Sequence, residues 1–209
     1  MIGDAKNLLS VAEGGLSKIN DILVNVRDKV LQAAGDTIGS EERTAILSQV
    51  NQYLAQVDTT VGQTTWNSQK LLDGSYTNKN FRIGAEAGDS INFQFSQDHQ
   101  ASALGLGTSS LDINNASTWA TFLSSVNSAI TTLGTSVASV GSTMARLTFQ
   151  EQNLQVAQAN TDATYNRIMN ANMAMEQVNA SKYAILQQTA TTMLAQANSA
   201  PQYILSLFR

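Results

Sequence analysis

Apolar residues in this chain return in alternating steps of four and three, and that rhythm confines it to long helices packed along narrow seams. Ala12, Leu16, Ile19, Leu23, Val26, Val30 and Ala33 share one helical face, the spacing of a coiled-coil-like contact. The segment AGDTIGSEER interrupts it. Ser40 followed by Glu41, Glu42 and Arg43 reads as a new helix start, with a side-chain oxygen for free amides and acids at the positive end of the dipole. Ile46, Val50, Tyr53 and Val57 then resume the rhythm. Two helices joined so briefly predict an antiparallel hairpin over 4–66.

The middle of the chain changes period. Asp73-Gly74 marks a turn, and Ile91, Phe93 and Phe95 alternate with Asn92 and Gln94, as in a half-buried strand. With GAEAGD as its turn, including Glu86 and Asp89, a β-hairpin region is predicted over 71–96. Residues 97–116 read as loop. Helix returns from 117, where Val126, Ile130, Leu133, Val137, Val140, Met144 and Leu147 keep the four-three spacing, and Leu154, Thr161 and Ile168 extend it. Gly134 and Gly141 each weaken that helix by about 1 kcal/mol relative to alanine, and their small size predicts close approach of a neighbouring helix. Pro201, the sole proline, predicts a break or kink. The fold class is mainly α: an elongated antiparallel coiled-coil-like helical rod with a small β-hairpin region. Residues 1–172 form the rod domain and 173–209 a C-terminal helical assembly segment.

The residue inventory excludes more chemistry than it supports. A net charge of −4 without a basic run argues against nucleic acid. There is no cysteine, hence no disulfide or thiolate metal site. No apolar run reaches about eighteen residues, so membrane insertion is not expected, and the first residues do not read as a secretory signal. His99, the lone histidine, sits in a polar stretch beside Asp98 and is expected at the surface without a role, since one histidine rarely makes a metal site. No HExxH, GxSxG or phosphate-binding glycine loop occurs. Asn115-Ala116-Ser117 and Asn179-Ala180-Ser181 match the glycosylation tripeptide, a match short enough to arise by chance. Met169, Met173 and Met175 are expected to serve helix packing. No catalytic residue, cofactor site or metal site is expected.

The ending is the unexplained part. Between Lys182 and Arg209 no side chain carries charge, yet Gln, Thr, Asn and Ser interrupt the apolar residues. Ile185, Leu186, Met193, Leu194, Ile204, Leu205, Leu207 and Phe208 are its apolar anchors.

Several segments, in order, resemble bacterial flagellin, the subunit of the flagellar filament. They are SVAEGGLSKINDIL, VRDKVLQAA, QTTWNSQKLLDGS (Trp66 standing where Phe is usual), FRIGAEAGDSINF and AILQQTATTMLAQANSAPQYILSLFR. The resemblance implies a non-enzymatic, self-assembling filament subunit with a nearly bare rod, shortened at its N-terminus and without large variable outer domains. It also implies extracellular placement in the flagellum, reached without a cleaved signal peptide. The partners implied are sister subunits and an export chaperone on the C-terminal segment. Without an N-terminal mate, that segment is expected to be disordered until a partner binds. The resemblance further implies an innate-receptor surface with Val26, Arg27 and Gln32. Asn25, Lys29 and Gln49 depart from the usual pattern, which predicts weak receptor activation. Two alternatives remain at this point: a hook–filament junction protein, or a flagellin-like cell-surface binder using Trp66 or Trp119 as an aromatic platform.

Overall fold

A computed structural model describes residues 2–84 and 88–207, with the side chains of Ser110, Ala171, Ala200 and 202–207 outside that description. Glu86 and Phe208 therefore lie outside the described residues. The elements are α1 (Ile2–Ala33), α2 (Ser40–Gln63), β1 (Thr65–Trp66), β2 (Gln69–Lys70), β3 (Tyr76–Arg82), β4 (Ser90–Phe95), a 3-10 turn (Thr108–Ser110) and α3 (Ala116–Leu207). The chain forms two compact units, Met1–Asn153 and Leu154–Arg209. They part where burial ends, upstream of the 172/173 boundary drawn from sequence character.

The first unit is built on the heptad seam. All seven of the residues from Ala12 to Ala33 on the predicted face are fully buried, and Ala5, Leu8 and Leu9 extend that face toward the start of α1. On α2 the buried set is Ile46, Val50, Leu54, Val57 and Val61; Tyr53, placed on the seam by the sequence, packs at its margin. Either residue keeps a step of three or four, and the smaller leucine fits the centre. α3 closes the core with Trp119, Phe122, Val126, Ala129, Leu133, Val140 and Leu147. It runs opposite to α1, because Lys6 near the start of α1 pairs at 2.9 Å with Glu151 while Ile113, just ahead of α3, lies beside the end of α1.

The close-approach glycine is Gly15, and neither Gly134 nor Gly141 takes that role. A Cβ on Gly134 or Gly141 would meet nothing within 4 Å; both sit on exposed turns of α3. A Cβ on Gly15 would lie 2.6 Å from Thr64 Oγ1 and 3.0 Å from Leu72 Cδ1. Thr64 cannot swing away freely, since its hydroxyl donates to the Thr60 carbonyl at 2.7 Å. Gly15→Ala is thus expected to lose about 1–3 kcal/mol of stability through overpacking. Gly14→Ala, in open space, is expected to gain up to about 1 kcal/mol. Denaturant unfolding of the two variants checks the contrast.

Between α2 and α3 the chain makes two small antiparallel sheets, β1–β2 and β3–β4. Asn67 and Ser68 join β1 to β2 with φ of 48° and 63°, the doubly left-handed geometry of a tight hairpin. In the second sheet Phe81 faces Ile91 and Lys79 faces Phe93, with a register irregularity between Tyr76 and Lys79 around left-handed Asn78. Ile91, Phe93 and Phe95 turn to the core as their alternation predicts. Residues 97–116, expected as plain loop, are pinned down: Asp58 Oδ1 accepts from the Ala101 amide at 2.8 Å, and Ala101 and Leu106 are buried.

Two helix-end expectations are corrected. Gly39 is the N-cap of α2 and no side chain caps it. Arg43, read as part of a solvated helix start, turns inward. Its Nε donates to the Ala33 carbonyl at 3.0 Å, Nη2 to Gly35 at 2.9 Å and Nη1 to Ile113 at 3.4 Å. The last turn of α1 has no basic residue of its own, so a cation from the next helix takes its free carbonyls.

The second unit is a single helical run. It continues through Pro201 to Leu207, where a break was expected. Glycine is absent after Gly141, and Ala, Gln, Met and Leu favour the helix throughout. The carbonyl that Pro201 leaves without a donor belongs to Ala197, an exposed residue that water can serve.

Candidate assembly surface

The C-terminal part of α3 is a helix whose apolar residues face outward. Val178, Ile185, Leu186, Met193 and Leu194 are each more than half exposed. Val178 and Ile185, like Leu186 and Met193, are one heptad apart, so they form a stripe along the helix. Ala174, Val178, Ile185 and Leu186 line one shallow apolar surface, with Lys182 at its edge. Burying such side chains is worth about 1.5–3 kcal/mol apiece. The backbones of Ile204, Leu205 and Leu207 continue the helix; their side chains, and Phe208, lie outside the described residues.

The intervening polar residues leave that stripe more apolar than composition suggests. The Thr189 hydroxyl donates to the Ile185 carbonyl at 2.6 Å, Thr191 to Gln188 at 2.9 Å and Thr192 to Thr189 at 2.8 Å. Ser199 donates to Gln196 at 2.8 Å. Each hydroxyl is satisfied by its own helix, so threonine presents its methyl outward. No charge follows Lys182 before Arg209, which spares a buried surface the desolvation of an ion.

The predicted receptor residues do not share one surface. Val26 is fully buried in the α1 seam and offers nothing to a partner. Arg27 is partly exposed and lies 3.6 Å from Asp28, and Gln32 is exposed. The aromatic-platform alternative finds no geometry either: Trp119 is fully buried and Trp66 packs against the core.

His99 is a correction. It is 1% exposed, its Nδ1 3.3 Å from the Leu72 carbonyl and its Nε2 3.0 Å from Ser136 Oγ. Its backbone amide also donates to Leu72 at 3.0 Å. Burial holds its pKa below the ordinary histidine value, against the opposing pull of the Leu72 hydrogen bond and Asp98. Nothing in the local sequence predicts this, because Ser136 lies 37 residues away. Among the described residues no group of His, Asp or Glu could hold a metal ion, and no helix is long and apolar enough to cross a membrane.

Comparison with known proteins agrees with the heptad helices at both ends of the chain. Residues 1–77 match the model of the bacterial flagellin N-terminal helical region, and 123–208 that of the C-terminal helical region. Flagellin of Bacillus subtilis strain 168 is 32% identical, over 99% of this chain and 78% of its own. Flagellin of Halalkalibacterium halodurans is 27% identical over 99% of this chain and 75% of its own. The flagellar filament 33 kDa core protein of Treponema phagedenis is 30% identical over 97% and 76%. In three dimensions, the crystal structure of Bacillus cereus flagellin superposes with a TM-score of 0.63 over 73% of this chain and 86% of that one, at 24% identity. That likeness bears on the fold.

Proposed function

We infer from the chain's membership of the bacterial flagellin family that it is a structural subunit of the flagellar filament, not an enzyme. As a filament subunit it polymerises with other flagellin subunits and works outside the cell. The finer reading is our proposal. Residues 173–209 act as the assembly segment, with Ile185, Leu186, Met193, Leu194, Ile204, Leu205, Leu207 and Phe208 as anchors buried between subunits. Before assembly, an export chaperone masks the same anchors, and export proceeds without a cleaved signal peptide. The observation that carries this reading is the outward-facing apolar stripe of α3 from Val178 to Leu194, uncharged beyond Lys182. A receptor contact on α1, if one forms, would use Arg27 and Gln32.

Electron microscopy of the purified chain mixed with a full-length flagellin tests it, scoring incorporation of labelled chain into filaments. The wild-type chain is expected to enter filaments. Leu186→Lys with Met193→Lys is expected to reduce incorporation at least about tenfold, since each buried, unpaired charge costs several kcal/mol. Removal of Tyr183–Arg209 is expected to abolish both incorporation and chaperone binding. Intact polymerisation and chaperone binding after that removal would refute the assignment of the segment.

A further inference from the structure

His99 is a buried titratable group outside the proposed assembly segment, and its hydrogen bonds join three separate parts of the first unit. Nδ1 faces the Leu72 carbonyl in the 71–74 turn. Nε2 faces Ser136 on α3. The residue itself begins the pinned segment 99–106, which Asp58 of α2 holds through the Ala101 amide.

The partners dictate where the protons sit. A carbonyl oxygen only accepts, so Nδ1 must carry a hydrogen. In the neutral ring Nε2 is then bare and accepts from the Ser136 hydroxyl. Ser136 Oγ also lies 3.1 Å from the Thr132 carbonyl. When Nε2 gains a proton, the hydroxyl can rotate to donate to Thr132 and accept from Nε2–H. The Nε2–Ser136 bond then reverses direction while Nδ1–H keeps donating to Leu72, and the cost of protonation is that of placing a cation in a buried site.

Few charges face that cation. Asp98 adjoins it, with Asp73 opposite Asp98 in an isolated antiparallel backbone bridge and Lys70 near Asp73. α2 brings Asp58, and α1, packed on Leu72 through Gly15, has only exposed Glu13 and Lys18 nearby in sequence. β4 carries no charged residue, and Lys79 of β3 is turned to the Tyr76 ring. α3 has no charged residue from Ala116 to Ala145.

We propose that His99 is a proton-operated latch, which when neutral fastens the 71–74 turn and the 99–106 segment to α3 and when protonated loosens them. The burial that depresses its pKa sets the sign. A depressed folded value means the contribution is complete above the unfolded histidine value of about 6.5 and is lost as pH falls through the folded value. Because the Ser136 hydroxyl can turn to Thr132 and accept from Nε2–H, the response is a graded loosening of one segment, with α1 and α2 unaffected.

As the chain has one histidine, NMR of its imidazole in the full chain reports this site alone. The expected result is an Nδ1–H tautomer at about pH 7.5 and a titration midpoint below that of a histidine peptide, near 6.5. Hydrogen exchange of the His99, Ala101 and Leu106 amides, corrected for intrinsic rates, should show local opening rising by up to about tenfold per pH unit on acidification. Leu16 and Ile19 in α1 serve as the reference and should stay flat. Ser136→Ala removes the acceptor for Nε2–H and should move the midpoint further down, while His99→Gln should abolish the pH slope. If His99→Gln does not fold, the wild-type and Ser136→Ala titrations still decide. A wild-type midpoint at or above the peptide value overturns the latch. So does protection at 99–106 that tracks α1, or an upward shift in Ser136→Ala.

Discussion

Trp119→Ala is expected to lower the unfolding free energy by about 3–5 kcal/mol. Trp119 is fully buried near the start of α3, and its loss opens the space where that helix joins Phe122 and Val126 in the core. Its indole N–H finds no hydrogen-bond partner among the described residues. An orphaned buried donor costs about 1–3 kcal/mol, so Trp119→Phe, which removes the donor and keeps an aromatic ring, should lose far less. Urea denaturation separates the two, with Trp66 retained as a fluorescent reporter. Equal losses in the two variants would show that ring volume is not what Trp119 contributes.

Arg43→Ala is the second large expected effect, a loss of about 2–4 kcal/mol. One guanidinium holds the carbonyls of Ala33, Gly35 and Ile113, joining the end of α1, the interhelical loop and the approach to α3. Hydrogen bonds to a charged donor are worth about 1.5–3 kcal/mol, and carbonyls left without a partner add a desolvation penalty where water cannot reach. Arg43→Lys should recover a minor part, because a single ammonium cannot span the fork of three carbonyls. Calorimetry of the three proteins checks the order: wild type, then lysine, then alanine. A lysine variant as stable as wild type would mean that charge alone, without the fork geometry, suffices.

How far the fold can be read from the chain depends on whether the cause is periodic. The α1 face from Ala12 to Ala33 was legible residue by residue, since every member lies in one seam and the period follows from helix geometry. The same holds for Ile91, Phe93 and Phe95, whose alternation is that of the pleat. Leu54 displaced Tyr53 because adjacent residues both fall within the tolerance of a four-three step. Arg43 and His99 were illegible for another reason: each is buried by partners far along the chain, and Ser-Glu-Glu-Arg or Gln-Asp-His-Gln looks solvated in isolation. One clue was available for Arg43, since α1 ends without a basic residue in its last turn. Gly134 and Gly141 misled because helical position alone does not say which side of a helix meets a neighbour. The candidate surface was legible as an absence of charge, whereas its hydroxyl pairing required the helix to be seen.

Those inward-turned hydroxyls bear on what association demands of the chain. A threonine whose hydroxyl already donates to its own helix occupies one rotamer, and alanine has none to lose, so the TATTMLAQA stretch gives up little side-chain freedom when covered. Ordering a flexible side chain at an interface costs about 0.5–1.5 kcal/mol, and here only Gln, Met and Leu residues incur it in full. A short-chained, pre-ordered ridge therefore keeps a larger fraction of its contact energy as affinity than a lysine- or glutamate-rich helix of equal area. If the stretch is covered between subunits as proposed, that saving recurs at every repeat of the filament.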